Sequence, residues 1–447
     1  MALFNRKPRA PRPRTHEGAP AARLNPLETL RRSVLACLLW EDTFYEAGEL
    51  IAERIERLAR EVKPDAVAAL AVEAREQMKL RHAPLWLCRT LARQRSPLVR
   101  AALERVIQRP DELAEFLALY WAGKKQPIAA AVKRGLAAAF TKFDAYQLAK
   151  YDRRGMAVKL RDVMFLVHPK PKDADQAAVW KALAEGTLAT PDTWEAALSG
   201  GADKKETWTR LLTDRKLGAL ALLRNLRNMH AAGVDRARVK EALATMNVSR
   251  ILPFRFLAAA RYAPDLEPEL EQAMFRAAKD LPKLPGRTAL VVDHSGSMTG
   301  APVSRRSELD RFEAASALAI LAREQCEDVA VIVFGDTAKL VPPRRGFALR
   351  DALAQGPGGG TNTETAKQLA DREGYDRIVI ITDEQSHQAI SAPKAERRGY
   401  VVNVAPYEHG IGYGTWTHID GWSEAVLSYI GAAENVPVVG ADDAEAE

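Results

Sequence analysis

Apolar positions recur at helical spacing through most of the first 285 residues, after which short unbroken apolar runs take over. Asn25-Pro26 is an N-cap followed by proline in the first helical turn, and Leu27, Leu30, Val34, Leu35 and Leu38 repeat behind it every three to four residues. A second stripe follows at Leu50, Ile51, Ile55, Leu58 and Val62, and further helical runs are predicted over 66–80, 84–94, 98–108, 111–122 and 127–140. Strand-like alternation is nearly absent before residue 288. Short amphipathic helices with brief links predict an α-solenoid of HEAT type, in which each helix pair buries its apolar face on the next.

Beyond Pro285-Gly286, four apolar runs read as buried parallel strands: Thr288–Val292, Val329–Phe334, Arg377–Ile381 and Tyr400–Val404. Helical segments predicted at 308–325, 363–373 and 386–398 separate them. Strands and helices alternating at this length predict a doubly wound α/β domain, whose ligands sit at the carboxyl ends of the strands.

Charge divides along the same line. Residues 1–288 carry 51 Lys+Arg against 34 Asp+Glu, whereas 289–447 carry 14 against 24. Such asymmetry fits a polyanion-binding part joined to a part with another task, or simply two fused domains with different surfaces. Residues 1–24, rich in Pro, Ala and Arg, read as a disordered arm; Arg6, Lys7, Arg9, Arg12 and Arg14 can touch phosphate or keep the chain soluble. Residues 441–447 read as an acidic tail. The three cysteines, Cys37, Cys88 and Cys326, are far apart and lack CxxC spacing, so they read as core thiols. No stretch reaches the roughly 18 to 20 consecutive apolar residues of a membrane helix, and the basic start lacks the apolar core of a signal peptide. A cytoplasmic monomer without membrane attachment is expected.

Candidate chemistry falls where the first strand of the α/β half ends. Asp293-His294-Ser295-Gly296-Ser297 alternates a carboxylate and two hydroxyls around a glycine that permits a tight turn. Thr361, after the loop Gly356-Pro357-Gly358-Gly359-Gly360, and Asp383, at the end of another strand, supply two more oxygens. Hard donors of this kind suit Mg²⁺ or another divalent cation. Together Asp293, Ser295, Ser297, Thr361 and Asp383 resemble the metal-ion-dependent adhesion site of von Willebrand factor A-type domains. The plainer reading is that Asp293 and Ser295 cap the next helix, which leaves Thr361 and Asp383 unexplained. Asp293, His294 and Ser295 are sequence neighbours and cannot converge as a hydrolase triad. The glycine loop lacks the Gly-Lys-Ser/Thr of a P-loop. No further carboxylate cluster offers a general base for a metal-bound water. A non-enzymatic role is therefore expected, with the metal gripping a partner's carboxylate. A metal-dependent nuclease is the third reading.

In the helical half, Lys150, Arg153, Arg154, Arg161, His168 and Lys170 gather cations with little opposing charge, beside Tyr151. They can hold phosphates while Tyr151 and His168 meet bases, or they form a solvated helix face. Leu39-Trp-Glu-Asp-Thr-Phe-Tyr45, Lys150-Tyr151, Leu160-Arg-Asp162, His168-Pro-Lys-Pro171, Thr193-Trp-Glu195, Asp203-Lys204, Trp208 and Leu217 through Arg224-Asn-Leu-Arg227-Asn228-Met229 resemble, as a set, the Ro ribonucleoprotein autoantigen family and its bacterial relatives, built on the TROVE module. The resemblance covers about residues 25–285, with the A-type domain (286–440) behind it. It implies a ring of HEAT-like repeats closed by the A-type domain. It also implies small structured Y RNAs on the outer basic surface and single-stranded ends of misfolded RNAs in the central hole, for RNA quality control or processing. In bacterial relatives a Y RNA can tether an exoribonuclease. Lys150, Arg154 and His168 fall where the family contacts Y RNA, with Arg153, Arg161 and Lys170 as additions. One extra residue between Arg154 and Arg161 leaves Arg153 and Arg154 as alternatives for one position. Arg224 and Arg227 share a helix face; the nearby Trp194 and Trp208 favour a packed core in which these arginines tie down helix ends. The competing function is a protein-interaction adaptor working through the metal alone.

Overall fold

The computed structural model describes residues 12–37, 46–123, 125–152, 158–190, 192, 194–249, 251–279, 283–300, 302 and 309–436. Arg153, Arg154, the Leu39–Tyr45 motif and the acidic tail lie outside them. The chain forms two compact units, one of residues 52–277 and one of residues 1–51 with 278–447.

The first unit is helical. Its helices, numbered from α1 (Pro26–Leu35) in the other unit, are α2 (Gly48–Glu61), α3 (Pro64–Glu76), α4 (His82–Arg93), α5 (Val99–Val106), α6 (Pro110–Trp121), α7 (Ala130–Phe140), α8 (Ala145–Tyr151), α9 (Leu160–Val167), α10 (Ala174–Glu185), α11 (Trp194–Ser199), α12 (Lys204–Thr213), α13 (Ala219–Ala231), α14 (Arg236–Thr245), α15 (Phe254–Tyr262) and α16 (Glu267–Arg276). Packing runs to the neighbour and to the next but one: α3 on α4 and α5, α5 on α7, α7 on α9, then α13 and α14 on α15 and α16. That is the stacking of α-helical repeats, as the spacing predicts. The first five predicted runs appear within a few residues of their expected bounds. Of the second stripe, Ile51, Ile55, Leu58 and Val62 are buried, whereas Leu50 is 57% exposed. Leu50 precedes Ile51 by a single position and so turns off the buried face. Among the described residues no helix is long and apolar enough to cross a membrane.

The second unit is built on a six-stranded sheet. Its elements are β1 (Leu284–Asp293), α17 (Gly296–Thr299), α18 (Arg311–Gln325), β2 (Cys326–Phe334), β3 (Ala338–Leu340), α19 (Gly346–Leu353), α20 (Thr363–Glu373), β4 (Arg377–Thr382), β5 (Arg398–Asn403), β6 (Thr417–Asp420) and α21 (Ala425–Ala433). The strand order is β3-β2-β1-β4-β5-β6, parallel except for the edge strand β3. Ala289, Val291, Ile332, Phe334, Ile378 and Ile380 pack against Ala366 and Ala370 of α20 on one face. Period-two alternation sends Leu290 and Val292 to the opposite face. Both faces are covered, which is why the strands read as continuous apolar runs.

Three expectations change here. No helix forms over 386–398, which is loop and turn up to the start of β5. There Ser391 gives both its N–H and its hydroxyl to Glu364 of α20, at 2.7 and 2.9 Å, and Pro393 follows, which a helix interior does not tolerate. The short strands β3 and β6 carry too few residues for a period. The described part of the expected N-terminal arm, residues 12–24, is ordered against the α/β unit: Thr15 and Ala19 are buried, and Arg14 bridges Pro20. All three cysteines are free and buried, as expected of core thiols.

Candidate metal centre and nucleic-acid interface

β1 and β4 are parallel neighbours, so Asp293 and Asp383 leave the sheet at the same edge. Asp293 is fully buried. The Thr382 hydroxyl donates to its Oδ2 at 2.5 Å, and the Ser295 amide donates to its Oδ1 at 2.8 Å. The Ser295 and Ser297 hydroxyls are 3.3 Å apart. The Asp383 carboxylate accepts the Gln385 amide at 3.1 Å, and the Ser297 hydroxyl acts to lower its pKa. Thr361 joins through its backbone: its carbonyl accepts from the Ser386 hydroxyl at 3.1 Å and the His387 amide at 3.0 Å. The glycine loop reaches the first loop where Gly296 donates to the Gly359 carbonyl at 2.8 Å. Gly359 has φ +90°, open to glycine, and a Cβ on Gly360 would collide with the His387 imidazole. The five positions selected by the sequence thus gather from three loops.

Burial, and then the charge of Asp383, pushes the Asp293 carboxyl up to about 7; burial pushes Asp383 up as well. Two carboxylates taken from water side by side favour a shared proton or a cation. Among the described residues no group of three or more His, Cys, Asp or Glu side chains is arranged to hold a metal ion. The donors are two carboxylates and three hydroxyls, a set that fits a hard cation such as Mg²⁺ and not a thiolate- or imidazole-seeking metal.

Around this centre stand groups the sequence reading missed. Arg311, whose pKa burial lowers against the opposing charge of Asp383, donates to the Val404 carbonyl at 3.0 Å and lies 5.5 Å from the Trp422 ring. Arg32 of α1, with no exposed surface, pairs with Glu384 and donates to the carbonyls of Tyr407 and His409. His418 lies 3.1 Å from Glu384 and 3.0 Å from Arg32, and burial lowers its pKa to about 4. No local pattern announces pairings of this range.

In the helical unit, Lys150 sits in the last turn of α8, with Nζ 5.9 Å from the Tyr146 ring and 6.0 Å from the Tyr151 ring. Tyr151 also carries the Arg109 guanidinium at 4.9 Å, so its ring is engaged by two cations instead of lying bare. Arg161 opens α9, and His168 closes it in a left-handed conformation (φ 50°) that turns the imidazole to solvent beside exposed Lys170. Phe165, one turn before His168, is 57% exposed. Helices α8 and α9 both pack on α6 and α10. Arg161, His168 and Lys170 make no ion pair among the described residues.

A second group of cations lies on α13 and α15. Trp194 and Trp208 do stack, 5.5 Å apart, with Trp208 buried. Arg224 and Arg227 are both exposed, and Arg227 lies 5.2 Å from the ring of Tyr262, the last residue of α15. Arg255 on the adjoining helix α15 has its pKa lowered by burial and by Arg224. Residues 215–234 and 242–264, which hold α13 and α15, contain no Asp or Glu.

The fold defines a class, α-helical repeats joined to a doubly wound α/β unit. The solved Ro (Rsr) protein of Deinococcus radiodurans shares it, with a TM-score of 0.56 at 21% identity over 92% of this chain and all of that one. The TROVE domain model matches residues 27–185 and 177–315, more than half of the chain. A stretch of 89 residues, 19% of this chain, is 35% identical to mouse telomerase protein component 1 and spans 3% of that protein's length. The chain belongs to the TROVE family, a family of RNA-binding ribonucleoproteins.

Proposed function

We propose that this chain is the protein component of a small ribonucleoprotein that binds structured non-coding RNA of Y type and the single-stranded ends of misfolded RNAs, in RNA quality control or processing. The observation that carries the reading is the set of cations on α8 and α9 that make no ion pair among the described residues: Lys150 over two tyrosines, and Arg161, His168 and Lys170 beside exposed Phe165. Cations in this state release counterions on meeting phosphate, while an exposed aromatic accepts an unpaired base. The acid-free face of α13 and α15, with Arg224, Arg227 and Arg255, supports the single-stranded arm of the proposal. An exoribonuclease joins through the RNA. Sequencing RNA that co-purifies with the tagged protein in Mg²⁺ tests this. One or a few enriched short stem-loop RNAs are expected; bulk ribosomal fragments at the level of a basic control protein would refute it.

A second reading is favoured by the buried carboxylate pair. With Mg²⁺ held by Asp293, Ser295, Ser297, Thr361 and Asp383, the α/β unit is a von Willebrand A-type adaptor, and the ion supplies a coordination position for a partner's carboxylate. It predicts nuclease-insensitive, Mg²⁺-dependent capture of a protein partner that Asp293→Ala abolishes. The two readings are compatible, since phosphate and carboxylate binding use different residues.

A further inference from the structure

We propose that the N-terminal segment 12–37 is a strap that holds the loop after β4 in the shape that presents Asp383 to the metal, so that metal affinity depends on residues more than 350 positions away. The inference rests on the metal reading above. Four consecutive residues after Asp383 are each held from this segment. Arg32 pairs with Glu384. The His16 amide donates to Gln385 Oε1 at 2.8 Å, and the Thr15 hydroxyl donates to the Ser386 carbonyl at 2.8 Å. Glu17 lies 3.3 Å from the His387 imidazole.

Three of these four residues also reach the metal positions from their other side. Gln385 donates to the Asp383 carboxylate, and Ser386 and His387 donate to the Thr361 carbonyl. Two of the five candidate ligands are therefore positioned by a loop whose outer surface is the strap. Glu384 has φ +62°, a conformation a non-glycine residue keeps only when its surroundings enforce it. Its carboxylate is clamped by Arg32, by the Gly412 amide at 2.9 Å and by His418. A Cβ on Gly410 or Gly412 would strike that carboxylate, so the lid over Glu384 is closed by glycines. The strap is locally rigid: Thr15 Oγ1 also accepts the Ala19 amide at 2.9 Å within the turn bridged by Arg14 and Pro20. Partners that orient metal ligands change affinity by roughly 10- to 100-fold when removed.

The test uses the full chain with Thr15→Val and Arg32→Lys, neither of which touches a proposed ligand or the α8–α9 cations. Mn²⁺ affinity is measured by calorimetry, and hydrogen exchange of residues 383–388 is followed in metal-free protein, with α18 as the internal reference. Weakening of Mn²⁺ binding by about 10-fold is expected, with faster exchange confined to 383–388 and unchanged RNA affinity. Mn²⁺ affinity and loop exchange within twofold of wild type in both variants would overturn the strap. If Arg32→Lys does not fold, Thr15→Val alone decides. If wild-type protein binds no Mn²⁺, the metal reading fails by itself; faster exchange at 383–388 still supports the strap, and unchanged exchange overturns it.

Discussion

The Thr382 hydroxyl, at the end of β4, donates to Asp293 Oδ2, at the end of β1, 2.5 Å away. This bond crosses the seam where the two candidate carboxylate ligands leave the sheet. It offsets part of the cost of burying Asp293, whose carboxyl burial, and then the charge of Asp383, still push up to about 7.

The sign of the resulting pH dependence follows. In metal-free protein the folded pKa of Asp293 lies above its ordinary value of 3.8. The stability from the retained proton is complete below about 4 and is lost as pH rises toward about 7. Melts in EDTA should show falling Tm through this interval for wild type and a flatter curve for Asp293→Asn. Parallel curves would mean the carboxylate does not bury a proton.

Added cation should reverse that loss. At pH 7.5 and a concentration near 100 Kd, Mg²⁺ should raise Tm by about 5 °C, the effect of a ligand that binds only folded protein. Asp293→Asn and Thr361→Val should remove the rise. A wild-type melt indifferent to Mg²⁺ and Mn²⁺ would dismiss the metal centre.

For the nucleic-acid face, Lys150→Ala with His168→Ala should weaken binding of a structured RNA by about 10-fold or more, and lower the salt slope by about 1 for the lost phosphate contact. Filter binding between 50 and 200 mM salt measures both. An unchanged slope would move the phosphate contacts elsewhere on the chain.

Arg255 gives a separate prediction. A guanidinium desolvated beside Arg224, with no acidic partner among the described residues, is costly in free protein. Arg255→Met should therefore raise the Tm of RNA-free protein while weakening binding of a single-stranded oligonucleotide. A lower Tm with unaltered RNA affinity would return Arg255 to a structural role.

The packing claim is checked at Trp208. Its side chain is buried against Trp194, so Trp208→Ala should cost about 3–5 kcal/mol, read by urea melts of the helical unit. A loss below about 1 kcal/mol would show that the ring stack contributes little beyond an ordinary surface substitution.

The helices and central strands were legible because their signals are local: a period of three to four residues, or an apolar run bounded by turns. The five candidate positions were legible for a related reason. Asp293, Ser295 and Ser297 lie within one turn, and Thr361 and Asp383 follow a glycine loop and a strand whose ends are easily recognised. The 386–398 segment misled because its composition suits a helix, while Glu364 of α20 captures Ser391 and Pro393 blocks the next turn. Residues 12–24 looked like a disordered arm because nothing near them in sequence can bury Thr15 or Ala19. Their partners are supplied by the loop after β4, with Thr15 bonding Ser386 across a separation of 371 residues, and Arg32 meeting Glu384 across 352. Local patterning thus set which elements form and which oxygens converge. The tertiary fold alone decided which buried charges meet, because pairing depends on where distant chain segments are brought together and not on any spacing between neighbours.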